Sequence, residues 1–250
     1  MASLYGLEAE IPSICISKNT INIRGFLFYT IRDKHSKEVL EKGNIHNTFT
    51  SWGKEQIAKL CGGLGGYPIS SLRVRKDTSW TTMSVSNSLS GGTLIVDGQG
   101  TISGPGTVNC VCCAGTLTGS TEIHNSIDCT IVLSSDMELD VDVKIWFTGL
   151  NNDGNAITAG RLGNTGGNYN SPIGSVSYEL DGVAETVAST NSVNGYTLIV
   201  RNKNALTASG SYTVFGAMVN SGLKYHQFSG HTIYVGPNQE LYVYQEYVFS

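Results

Sequence analysis

Thr93-Leu94-Ile95-Val96 returns as Thr197-Leu198-Ile199-Val200, and Pro68-Ile69-Ser70-Ser71-Leu72 as Pro172-Ile173-Gly174-Ser175-Val176, each 104 positions later. Thr130-Ile131-Val132-Leu133 returns as Thr232-Ile233-Tyr234-Val235, and Glu138 to Val143 as Glu240 to Gln245, 102 positions later. Both offsets are even. Strand side chains alternate faces with period two, so an even offset keeps every copied residue on its face. A period near one hundred residues marks a duplicated β domain rather than a solenoid.

The rest of the chain fits that reading. Only 14% of its 250 residues are charged, against roughly 25% in an average soluble domain. Val, Ile, Thr and Tyr fill the apolar runs, and Gly, Ser and Asn separate them, as strands and tight turns require. From Leu139 to Phe147 the odd positions are apolar, while Asp140, Asp142, Lys144 and Trp146 take the other face. That alternation suits a sheet with one buried face. A helix is expected near residues 52–61, where Ile57, Leu60 and Cys61 form a stripe that Gly62-Gly63 ends. Its counterpart over Ala156 to Leu162 is eroded and is expected to shrink to a turn. Gly163 to Asn170 reads as a flexible loop.

The fold class expected is all-β: two tandem β-sandwich domains, jelly-roll or immunoglobulin-like, spanning 21–149 and 150–250. Residues 1–20 read as an N-terminal arm. No run of apolar residues is long enough to span a bilayer. Met1 to Gly6 offers neither a basic nor an apolar segment, so no secretory leader is expected. Residues 1–76 carry 11 of the 16 Lys and Arg and 6 of the 20 Asp and Glu, so a basic beginning precedes an acidic remainder. That end is expected to be a solvated face or to dock on something acidic. Specific nucleic-acid binding is not expected, since no pattern of Arg and aromatic residues supports it.

No catalytic set and no cofactor or metal motif emerges, and the chain is read as a non-enzyme. Gly62-Gly63-Leu64-Gly65-Gly66 lacks the Lys of a phosphate-cradling loop. Cys110-Val111-Cys112-Cys113 does not make the paired Cys elements of a zinc site. On a strand, Cys110 and Cys112 share a face and Cys113 opposes them. Cys110, Cys112 and Cys129 are expected as buried thiols or with one disulfide to Cys129. His124 and His226 are read as matched positions. On the last strand, Tyr242 and Tyr244 replace Asp140 and Asp142 of the first copy. Exchanging charge for tyrosine predicts a covered face, with Tyr242, Tyr244 and Tyr247 as interface residues. Trp80 and Tyr169 are expected on loops, as candidate sugar platforms.

Asn47-Thr48-Phe49-Thr50-Ser51-Trp52-Gly53, then Ile57-Ala58-Lys59-Leu60, then Gly62-Gly63, then Thr121-Glu122-Ile123 and Val141 to Phe147, resemble in order a module of phage tail-fibre and archaeal-virus structural proteins. The resemblance implies a virion component; with no catalytic set, the chain is expected to self-associate into a homo-oligomer and to dock on other virion proteins. The alternative is a receptor- or glycan-binding spike.

Overall fold

The computed structural model describes residues 13–117, 120–227 and 230–250. The chain is all-β with two helices. In order come β1 (Ser13–Asp33), β2 (Val39–His46), β3 (Thr48–Phe49), α1 (Ser51–Gly62), β4 (Ser71–Lys76), β5 (Ser79–Ser90), β6 (Thr93–Gln99), β7 (Ile102–Ser103), β8 (Gly106–Leu117), β9 (Ser120–Leu133) and β10 (Met137–Thr148). The second copy follows with α2 (Asn152–Gly163), a 3-10 turn (Asn168–Asn170), β11 (Ile173–Leu180), β12 (Val183–Asn194), β13 (Thr197–Asn202), β14 (Gly210–Val219), β15 (His231–Val235) and β16 (Tyr242–Phe249).

Two separate sandwiches are not what these strands build. They join into one sixteen-stranded curled sheet, ordered β15-β14-β11-β12-β13-β16-β1-β10-β6-β5-β4-β8-β9-β3, with β2 paired to β1 and β7 to β10 off that path. The long strands β5 and β12 are what curl it. β5 pairs with β4 through Ser79–Ser84 and with β6 through Ser84–Ser90, so its two halves serve two parts of the sheet. β12 divides in the same way between β11 and β13.

β1 joins the copies. Its first part, from Ser13 to Ile21, runs parallel to β16, and its second, from Asn22 to Asp33, runs antiparallel to β10. Residues 13–20 are therefore strand and not arm: extended Ser-Ile-Cys-Ile-Ser satisfies its backbone on the edge that β16 offers. Residues 1–12 of the expected arm lie outside the described residues, as do the side chains of Thr121 and Glu122.

The helices are exchanged. α1 packs on β12, β13 and β16 of the second copy, besides β9. α2 packs on β5, β6 and β10 of the first. The contacts that lock this exchange are duplicated. Asn191 Nδ2 donates to Gly62 O at the end of α1 (3.0 Å) and to Ile173 O (2.8 Å). Asn87 Nδ2 donates to Gly163 O at the end of α2 (2.9 Å) and to Ile69 O (2.8 Å). A Cβ at Gly62 would collide with Leu198, and one at Gly163 with Leu94. The buried apolar residues of both copies form one core.

α2 is a full twelve-residue helix and not a turn. Thr50 Oγ1 caps α1 by accepting from Gly53 N (2.9 Å), and Asn151 Oδ1 caps α2 by accepting from Gly154 N (2.7 Å). Left-handed Gly63 and Asn164 close the two C-termini. Thr for Asn and Gly for Asn are exchanges between residues suited to the same cap. The apolar stripe of α2 is faint because the helix is buried nearly all round, through Ala156, Ile157, Thr158, Ala159, Gly160 and Leu162. Small residues there admit the sheet closely.

Part of the basic segment is paired inside the chain. Lys18, Arg32 and Lys37 pair with Glu246 (3.1 Å), Asp140 (2.9 Å) and Glu138 (2.9 Å), so basic β1 and its turn meet the acidic last strands. Each pair keeps at least one partner partly exposed and contributes little to stability.

Candidate functional site: a groove and two sheet edges

A groove of about 800 Å³ opens where the β5–β6 turn, the end of β10 and the start of α2 meet. Gly91, Gly92 and Thr93 form one rim, and Lys144 and Trp146 rise from the outward face of β10. Asn152, Asp153 and Asn155 come from the first turn of α2, and Tyr169 from the 3-10 turn. Trp146 is held by stacking on Phe26, with ring centres 5.5 Å apart and planes 8° from parallel. Phe26 in turn meets His46 edge-on at 5.1 Å. Lys144 Nζ sits 4.6 Å above the Phe28 ring.

The second structural feature is the pair of sheet edges. Among the described residues β15 pairs only with β14. Among the described residues β3 covers β9 only at Asn125 and Ser126, and the stretch from Ile127 to Leu133 is paired on the β8 side alone. These two edges are the same strand in the two copies. Each carries an apolar side chain at the same matched position: Val132 and Tyr234, both 67% exposed.

Next along the outward face, Asp97 and Asp142 stand directly opposite each other on β6 and β10. Burial, and then the hydrogen bond and charge of Asp97, raise the Asp142 carboxyl to about 6. Like charges at one cross-strand position favour a shared proton. Sequence reading did not find this pair, because 45 residues and three strands separate its members; the long-range pairing of β6 with β10 is what joins them.

The residues singled out from the sequence divide as follows. Tyr242 and Tyr244 reach the outward face of β16, and Arg201 lies 3.9 Å over the Tyr242 ring. Tyr247 does not join them. It is buried in the core, donates to Gln245 Oε1 (2.6 Å) and meets Tyr225 edge-on. Strand parity places 242, 244 and 246 outward and 247 inward.

No disulfide forms: all six cysteines are free. Cys110 and Cys112 share the outward face with Sγ atoms 3.4 Å apart, Cys113 points into the core, and Cys129 Sγ faces Val108 O (3.6 Å). Burial raises the Cys112 and Cys129 thiols, to about 12 and about 11.

Trp80 belongs to β5 and not to a loop; Arg73 lies 4.7 Å from its ring centre. His124 and His226 are not counterparts. The carbonyl of His124 lies against Gly53, and that of Tyr225 lies against Gly154, so Tyr225 takes the matching place. His124 is wholly buried beside Trp52, and burial lowers its pKa to about 4.

Among the described residues no group of three or more His, Cys, Asp or Glu is placed to hold a metal ion. No helix among them is long and apolar enough to cross a membrane. Comparison with protein-family models, with curated proteins and with solved structures finds no match.

Proposed function

We propose that this chain is a structural subunit of a virus particle, assembling with copies of itself and with other virion proteins by pairing strand edges. The carrying observation is the matched pair of open edges, β9 and β15. Duplication has made the chain bivalent: each copy brings one strand with an edge open among the described residues and an exposed apolar residue at the same register. An open strand edge presents a row of free N–H and C=O groups ready to pair with another chain. Two such edges on one molecule give head-to-tail contacts, which close into rings or run on as filaments. The low charge of the chain and its Ser, Thr and Asn surfaces favour such packing. The order of motifs from Asn47 to Phe147 adds the resemblance to virion modules.

The test is the mass in solution. The natural chain is expected to form species that grow with concentration, by analytical ultracentrifugation. Val132→Lys with Tyr234→Lys puts a charge on each edge, which blocks edge pairing in natural sheets. That double variant is expected to be monomeric with unchanged circular dichroism. A natural chain that stays monomeric at its solubility limit, or a double variant that assembles equally well, overturns the reading.

A further inference from the structure

We infer that the groove between the β5–β6 turn, β10 and α2 binds a neutral oligosaccharide. This goes beyond assembly and does not depend on it.

Three observations converge. The first is a fixed, exposed aromatic ring. Matched helix residues lie 101 positions apart and matched strand residues 104 apart, so the second copy has three extra residues between helix and strand. They build the 3-10 turn, and the fold fastens it on both sides of Tyr169. Ser221 Oγ donates to Asn168 O (2.9 Å), Arg161 Nη1 donates to Asn170 O (2.7 Å), and Asn170 Nδ2 donates to Asn164 Oδ1 (2.7 Å). Tyr169 as a whole residue stays 38% exposed, lining the groove. Holding an aromatic side chain in water on an anchored turn gains little for the fold. It gives a ligand a large rigid surface at small entropic cost.

The second is the mixed chemistry of the lining. Tyr169 and Trp146 offer flat apolar surface. Asn152, Asn155 and Thr93 offer amides and a hydroxyl. Asn155 Nδ2 donates to Leu150 O (3.2 Å), which fixes that side chain at the groove. A pyranose has the same two-sided character, with C–H faces for aromatic rings and a rim of hydroxyls for amides. The ionic side chains of the groove are Lys144 and Asp153, one of each sign, so it favours neither anion nor cation.

The third is the matched place in the second copy. There the turn is Gly195-Tyr196, and Lys54 Nζ lies 5.8 Å above the Tyr196 ring. In the first copy the turn is Gly91-Gly92, both left-handed (φ 55° and 81°), and Gly92 leaves that space free. One copy fills the position from within; the other leaves it to a ligand.

The experiment uses the full chain and a panel of neutral hexose and N-acetylhexosamine oligosaccharides at millimolar concentration, together with sialylated and uronic-acid oligosaccharides. Tryptophan fluorescence and the NMR signal of the Trp146 indole N–H are followed. At least one neutral oligosaccharide is expected to give a saturable change. Tyr169→Ala is expected to weaken it about tenfold or more, with an unchanged melting temperature. Asn152→Ala, an exposed position, is expected to weaken it several-fold, and Trp80→Ala to leave it intact. The inference is overturned if no neutral oligosaccharide binds, if only charged sugars bind, or if binding survives Tyr169→Ala. Repeating the titration on the Val132→Lys, Tyr234→Lys variant separates it from assembly: monomers that bind sugar uphold the groove whatever the fate of the edges.

Discussion

The outward faces of β10 and β16 descend from one strand and have taken opposite characters. On the first, Asp97 and Asp142 face each other and raise the Asp142 carboxyl, with Lys144 nearby over Phe28. On the second, the same positions are Arg201 and Tyr244, and Arg201 lies over Tyr242. Beneath both faces the copies are alike: Leu94 and Leu198 meet the ends of the exchanged helices, and Asn87 and Asn191 tie those ends down. Packing and backbone satisfaction tolerate few substitutions, whereas outward faces are released to diverge. What differs between the copies is therefore where function is to be sought.

The largest effect expected from breaking this comparison is at His124. Its pKa is lowered in the folded chain, so its stabilising contribution is complete above the unfolded value near 6.5 and is lost as pH falls through about 4. Across that window the unfolded chain binds the extra proton, at a cost of about 3 kcal/mol. His124→Phe, which makes the position aromatic as at Tyr225, is expected to remove that part of the acid sensitivity. Denaturant titrations at pH 7 and pH 4.5 check it; equal pH dependence in both proteins would refute it.

Next come the helix anchors. Asn87→Ala and Asn191→Ala each orphan two carbonyls, at a cost of about 2–3 kcal/mol apiece. Equal losses by chemical denaturation would show the exchange to be energetically symmetric. A much smaller loss at one site would show which helix holds the copies together. Removing the α2 cap with Asn151→Ala is expected to cost about 1 kcal/mol, read in the same way.

The smallest effect concerns the carboxylate pair. The Asp142 pKa is raised in the folded chain, so its penalty is absent below about 4 and grows as pH rises through about 6. Asp142→Asn is expected to raise the melting temperature by a few degrees at pH 7.5 and not at pH 4. No difference at either pH would mean that the two charges are fully screened.

Much of this was legible beforehand. The duplication, the all-β class, α1 and the opposed faces of Cys112 and Cys113 follow from spacing and parity. Parity also placed Tyr247 inside, had it been applied beyond Tyr244. The exchange of helices was not legible, because both copies offer the same partners. Leu94 and Leu198 are chemically identical, and nothing local says which helix each receives. α2 was obscured because burial on all sides removes the stripe that marks a half-exposed helix. The groove was legible only in pieces: Tyr169 and Trp146 are visible as unburied aromatics, but their convergence requires the turn of α2 against β10.

The amino-acid order by itself determined a doubled set of strands, their faces and the glycine end of the first helix, because these depend on neighbours a few residues apart. Which copy each helix covers, which strands are left as edges and which side chains share the groove were decided by tertiary structure. Those outcomes rest on contacts between segments about one hundred residues apart, where two equivalent partners compete and only the closed sheet selects one.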